Sequence, residues 1–172
     1  MKNGIHPSSY WICLIGLVGF LSGCHTPPAA PQDPTQGLPA KTQLKLVALA
    51  ELKVPGKHAD QNVGAYFLLV DPDEISFFDN YFKENLPRVV LSAGKDQNYQ
   101  GLIRDDAGRA VDKLTGKPGV LLGFQRIEIK GDQAHVELVE SESLSSITIH
   151  TFEMSLQKGK WTILIHSRRT VS

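Results

Sequence analysis

The chain has 172 residues, with 18 basic and 18 acidic side chains and no formal net charge. That balance lacks the basic surplus with which proteins neutralise phosphate backbones, so nucleic acid is not an expected partner. The two cysteines, Cys13 and Cys24, both lie near the N-terminus. The remainder carries no thiol for a disulfide, a thiolate nucleophile or a cysteine metal site, and its stability must come from a hydrophobic core.

Lys2 precedes a short apolar run, Tyr10 to Phe20. The run fits the roughly 7–15 residues of a signal h-region and falls short of the ~20 that span a bilayer as a helix. It closes on Leu21-Ser22-Gly23-Cys24, which resembles a bacterial lipobox. The resemblance implies that residues 1–23 are a signal peptide and that Cys24 is lipidated and becomes the first mature residue. The partner would then be a membrane, held through acyl chains that contribute ~0.8 kcal/mol per buried CH2. His25 rather than Asp follows the cysteine, which implies the periplasmic side of the outer membrane in a Gram-negative host. A signal cleaved without lipid and a retained anchor are the alternatives; Gly16 and Gly19 weaken the second. Lys2 leaves with the signal and tips the mature charge slightly acidic. Residues 24–43 then form the lipidated cysteine and a tether, rich in Pro27, Pro28, Pro31, Pro34 and Pro39. In polyproline II form, at ~3.1 Å per residue, it reaches roughly 50–60 Å.

A single domain is expected over 44–172. Leu44, Leu46, Ala48, Ala50, Leu52 and Val54 alternate, which predicts a strand. Val47 and Leu49 on the other face leave a buried strand or a helix open. Pro55-Gly56 ends the segment. Val63 to Val70 is a second β-like run. Asp71-Pro72-Asp73-Glu74 has the spacing of a helix start. Ile75, Phe78, Phe82 and Leu86 follow on one stripe until Pro87. Phe77 and Tyr81 flank that stripe and either widen the buried face or line a pocket. Arg88 to Ala93 is a predicted strand. Residues 94–119 are rich in turn formers, with a small hairpin expected around Asp105-Asp106-Ala107-Gly108.

The last third predicts an antiparallel meander of four strands, covered on one face by the aromatic helix. A type II′ turn at Gly131-Asp132 sets Ile129 opposite Ala134, Ile127 opposite Val136, Arg126 opposite Glu137 and Glu128 opposite His135. A turn at Lys158-Gly159 sets Leu156, Met154 and Phe152 opposite Trp161, Ile163 and Ile165. Continued, that register sets His150 opposite Ser167 and His166 opposite Thr151, on opposite faces of the sheet. It therefore excludes a shared metal ion, and His135 reads as a surface partner of Glu128. No metal site and no cofactor are expected.

Ser92-Ala-Gly-Lys95 and Ser155-Leu-Gln-Lys158 both show S-x-x-K spacing, without the S-D-N and K-T-G partners that such chemistry uses. Gly116-Lys117 lacks the upstream glycine of a P-loop. Asp105, Asp106 and Asp112 lack the alternation of an EF-hand. One helix followed by a meander, with Thr115-Gly116-Lys117-Pro118-Gly119-Val120, Gly131-Asp132-Gln133-Ala134 and Lys158-Gly159-Lys160-Trp161, is similar to uncharacterised NTF2-like or cystatin-like envelope domains over about residues 70–172. The resemblance implies an α+β fold with a curved antiparallel sheet. Enzymatic members use an Asp or His inside the cone of the sheet, and no residue here matches such a motif. The expectation is a non-enzymatic binding or scaffolding module for an envelope protein or cell-wall component. The alternative is a small-molecule pocket enzyme with His150 as base. Phe77, Tyr81 and His150 are the candidate pocket or partner surface.

Overall fold

The computed structural model describes residues 37–54, 62–85, 87–93 and 99–171. The Leu21–Cys24 motif, most of the expected tether and Pro55-Gly56 lie outside them. The elements are α1 (Ala40–Glu51), β1 (Ala65–Val70), a 3-10 turn (Pro72–Glu74), α2 (Ile75–Phe82), β2 (Arg88–Ala93), β3 (Leu102–Arg104), β4 (Ala110–Asp112), β5 (Gly119–Lys130), β6 (Gln133–Ser143), β7 (Ser146–Gln157) and β8 (Lys160–Val171). Six strands form one sheet in the order β2-β1-β5-β6-β7-β8, and β3 pairs with β4 apart from it. The fold is α+β, and the C-terminal meander is present with all four strands.

Three features differ from the sequence reading. Residues 44–51 are helical, not a strand. Almost every position of Leu44–Leu52 is apolar, so the run satisfies either period. Propensity decides: Ala, Leu, Lys, Gln and Glu dominate α1, and β-branched residues are few. The helix begins at Ala40, so residues 40–43 belong to the domain and not to a tether. Thr42, Leu44, Lys45, Leu46, Ala48 and Leu49 are buried. Second, the sheet is mixed. β1 pairs in parallel with both β2 and β5. The helix between β1 and β2 carries the chain back to the starting end, which makes β2 parallel to β1. Third, α1 is the helix that lies against β6 and β8, while the aromatic helix α2 lies against β2.

The inner face of the sheet and the two helices share one core. Leu44, Leu49, Tyr66, Phe78, Val136 and Phe152 are among its fully buried members. Burial of each such side chain contributes about 1.5–3 kcal/mol. A smaller cluster on the outer face joins Ala65, Phe67, Tyr99, Ala110 and Leu121. Residues 99–118 form its cover, with the expected hairpin at Asp105–Gly108. The buried Asp112 pins that cover: it takes hydrogen bonds from Arg88 and from Thr115 Oγ1, the latter at 2.8 Å.

Candidate functional site

The β5–β6 hairpin keeps the predicted register, including Ile127↔Val136 and Glu128↔His135. Its turn has φ +64 at Gly131 and no positive φ at Asp132, as a type II′ turn requires. The β7–β8 hairpin starts as predicted, with Leu156↔Trp161 and Met154↔Ile163. A β-bulge then intervenes, so that Glu153 faces Ile165 and Phe152 faces His166 rather than Ile165. The extra residue is Leu164, and beyond it every side chain of β8 changes face.

That bulge overturns the separation of the histidines. His150 now faces Arg168, and His166 lies on the same face, next to it. His150 Nδ1 and His166 Nε2 are 3.1 Å apart. His150 Nε2 is 2.8 Å from Glu140 Oε2 on β6. His166 Nδ1 is 3.7 Å from Glu51 Oε1, at the last residue of α1, an ion contact too long for a hydrogen bond. The Phe152 ring stacks on His166 at 4.4 Å. A carboxylate, two imidazoles and a second carboxylate thus run in sequence from the inner face toward the sheet edge. Glu140 orients the His150 ring, as an acid orients a base in hydrolytic sites. His150 itself is only 2% exposed, and both its nitrogens are engaged. The opposite-face argument against a metal ion no longer holds. Among the described residues no group of three or more His, Cys, Asp or Glu side chains is placed to hold one.

The other sequence candidates are scattered. Phe77 and Tyr81 stack at 6.0 Å on α2. Tyr81 is 42% exposed, and Phe77 lines a surface cavity of about 610 Å³ with Leu38, Thr42 and Asp73. His150 lines none of the cavities described here. His135 does not bond Glu128 but Glu153 at 2.7 Å and Glu137 at 3.2 Å. The Glu153 hydrogen bond, helped by Glu137, raises its pKa above the ordinary value near 6.5 despite partial burial. Arg126, placed opposite Glu137, instead gives two hydrogen bonds to Glu128, at 2.9 and 2.7 Å. Ser92 is buried in β2, and Lys95 lies outside the described residues.

Sequence reasoning missed Glu140, Glu51 and a buried ammonium. The Lys45 side chain is 4% exposed, and its Nζ bridges Asp71 at 2.7 Å and Glu74; Thr42 Oγ1 donates to Glu74 at 2.7 Å. These contacts join α1 to the turn before α2. The alternating apolar pattern of residues 44–54 gives no sign of them. The bulge had a signal: Ile163-Leu164-Ile165 is an unbroken apolar triplet inside an alternating strand.

The outer face carries one further feature. Where the cover of residues 99–118 ends, an open groove of about 330 Å³ runs over β1, β5, β6 and β7. Leu69, Leu121, Val139, Ile147, Tyr99 and Leu144 are among its walls, with Gly123 in its floor. Among the described residues, Arg104 is the one charged side chain that lines it.

No protein-family profile matches the chain. Over 70 residues it is 37% identical to the dITP/XTP pyrophosphatase of Bacillus subtilis (strain 168). The match covers 41% of this chain and 35% of that enzyme, so the chain spans about a third of the relative's length. Among solved structures it is similar to an NTF2-like protein of unknown function from Shewanella baltica OS155, with 16% identity and a TM-score of 0.37, over 79% of this chain and 99% of that one.

Proposed function

We propose that the protein is a lipid-anchored cell-envelope module that binds a partner and catalyses no reaction of its own. The observation that carries this reading is the filled inner face. The space beneath the sheet, where an enzyme of this architecture would hold substrate, is occupied by Leu44, Leu49, Phe78 and Phe152. The imidazole on that face, His150, is spent on internal contacts with Glu140 and His166. An active site needs several polar groups converging on an open pocket. The Leu21-Ser22-Gly23-Cys24 motif supports the anchor, with Cys24 as the acylated residue and the membrane as first partner. The outer membrane is the expected location in a Gram-negative host. An NTF2-like identity remains part of the proposal.

A second reading has one observation in its favour. The 2.8 Å contact between Glu140 and His150 has the form of an oriented general base, so a pocket enzyme would use His150 in that role. Diethyl pyrocarbonate modification of the native full-length chain, mapped by peptide mass, separates the two. A structural His150 stays unmodified until urea unfolds the protein, while exposed imidazoles react at once. Modification of native His150 at the rate of a free imidazole sinks the non-enzymatic reading.

A further inference from the structure

We propose that the outer face of the sheet binds a single fatty-acid chain in the groove beside Gly123. The inference rests on the binding-module reading and names the ligand class. Three observations lead to it. First, the outer face, polar at Arg126, Glu128, His135 and Glu153, is apolar at the end around Leu69 and Leu121, where the described residues cover it only in part. Residues 99–118 close over Ala65, Phe67 and Leu121, whereas Val139 and Ile147 continue the apolar floor past that cover. Leu144, in the β6–β7 turn, remains 71% exposed at the groove wall. An apolar floor under water is unfavourable by about 25 cal/mol per Å², and a chain laid along it recovers that energy.

Second, Gly123 sits inside a long strand, where glycine weakens pairing and packing. A Cβ built there meets only Leu69 Cβ, at 3.9 Å. Nothing in the fold therefore requires glycine at this point. The missing side chain deepens the groove instead, which suits close approach of a ligand. Third, among the described residues that line the groove, Arg104 carries the only charge. It stands on β3 and gives one N–H to Gly108 O at 2.9 Å. A guanidinium has five donors in a planar fork that matches a carboxylate.

The lining selects the occupant. About 330 Å³ lies at the small end of the roughly 300–1,000 Å³ of ligand pockets. One alkyl chain along Leu121, Val139 and Ile147, with its carboxylate on Arg104, matches the apolar floor and the single charge together.

The test is calorimetric titration of dodecanoate, below its micelle concentration, into the full chain carrying Cys24→Ala, which needs no competing detergent. The expected result is one saturable site per chain. Gly123→Leu, which fills the groove, abolishes it without moving the melting temperature. Arg104→Gln weakens dodecanoate about tenfold or more, the worth of one charged hydrogen bond, and leaves dodecanol binding unchanged. If Gly123→Leu fails to fold, Val139→Asp serves, because it places a charge on the same floor. No saturable binding, or binding indifferent to both floor variants, overturns the proposal. So does a protein that runs as a dimer with the groove sealed by its second copy. A lysophospholipid that displaces dodecanoate far more effectively than another fatty acid overturns the choice of ligand. The binding-module reading keeps its own test, the reactivity of His150, so the two can fail separately.

Discussion

Asp112 is a completely buried carboxylate, and it shows how single residues hold this molecule. Burial pushes its pKa up. The hydrogen bonds from Arg88, Thr115 and the Leu114 amide, together with the Arg88 charge, outweigh burial and hold it below the usual value near 3.8. A carboxylate with a depressed folded pKa contributes stability above its unfolded pKa and loses it as pH falls through the folded value. The cover of residues 99–118 should therefore loosen below about pH 4. Asp112→Ala should cost roughly 1–3 kcal/mol in urea unfolding, less than a fully buried pair, because the Arg88 side chain is 35% exposed and can rehydrate. His135 has the opposite sign. Its raised pKa, due first to Glu153, gives stability that is present below the unfolded pKa and lost as pH rises through the folded one. Glu153→Gln should lower the His135 titration midpoint seen by NMR; an unchanged midpoint would contradict the assigned cause. The pairing of His135 with a carboxylate was legible in the sequence, but not which one. Strand register fixes the opposite neighbour, whereas rotamers choose among three carboxylates within reach.

Elements carry the larger corrections. The aromatic stripe of α2 was readable, because Phe78 and Phe82 stack in the core and Phe77 lies beside them. Phe78→Ala or Phe82→Ala should cost ~3–5 kcal/mol and Phe77→Ala less; equal large losses at all three would contradict the helix face. α1 was not readable by period alone, and its N-terminal turn, which the sequence reading gave to the tether, belongs to the domain. A chain that starts at Leu44 loses Thr42, which bonds Glu74. It should melt below one that starts at Gly37, by the few degrees that ~1–2 kcal/mol represents. Equal melting temperatures would show that this turn contributes nothing. The Leu164 bulge is the element that builds the histidine pair. Deleting Leu164, the extra residue, should leave a continuous ladder in which Ile165 still faces Glu153 and His166 still faces Phe152, so the contact of His166 with His150 Nδ1 survives. Nitrogen-15 spectra of the imidazoles check this: unaltered His150 signals are expected, and a released Nδ1 would refute Leu164 as the extra residue.

For the whole molecule, the α+β class and the meander followed from the sequence because hairpins are local: turn residues and alternating apolar positions specify them within 25 residues or so. The parallel placement of β1 between β2 and β5 is not local and has no turn to announce it. The strand-helix-strand order around α2 was its only trace. The outer-face groove is likewise a product of assembly, since its lining is drawn from β1, β3, β5, β6, β7 and the loop at Tyr99. The functional account rests on a different part of the chain, four residues that precede the folded domain. In the proposed function, Cys24 carries acyl chains that fix the module to a membrane. Detergent-phase partition of native protein, with mass spectrometry of its mature N-terminus, tests this most directly. The account predicts a membrane-bound form that begins at an acylated Cys24, and a soluble or uncleaved form in Cys24→Ala. An unmodified N-terminus beyond residue 24 on a protein that partitions into water would contradict it.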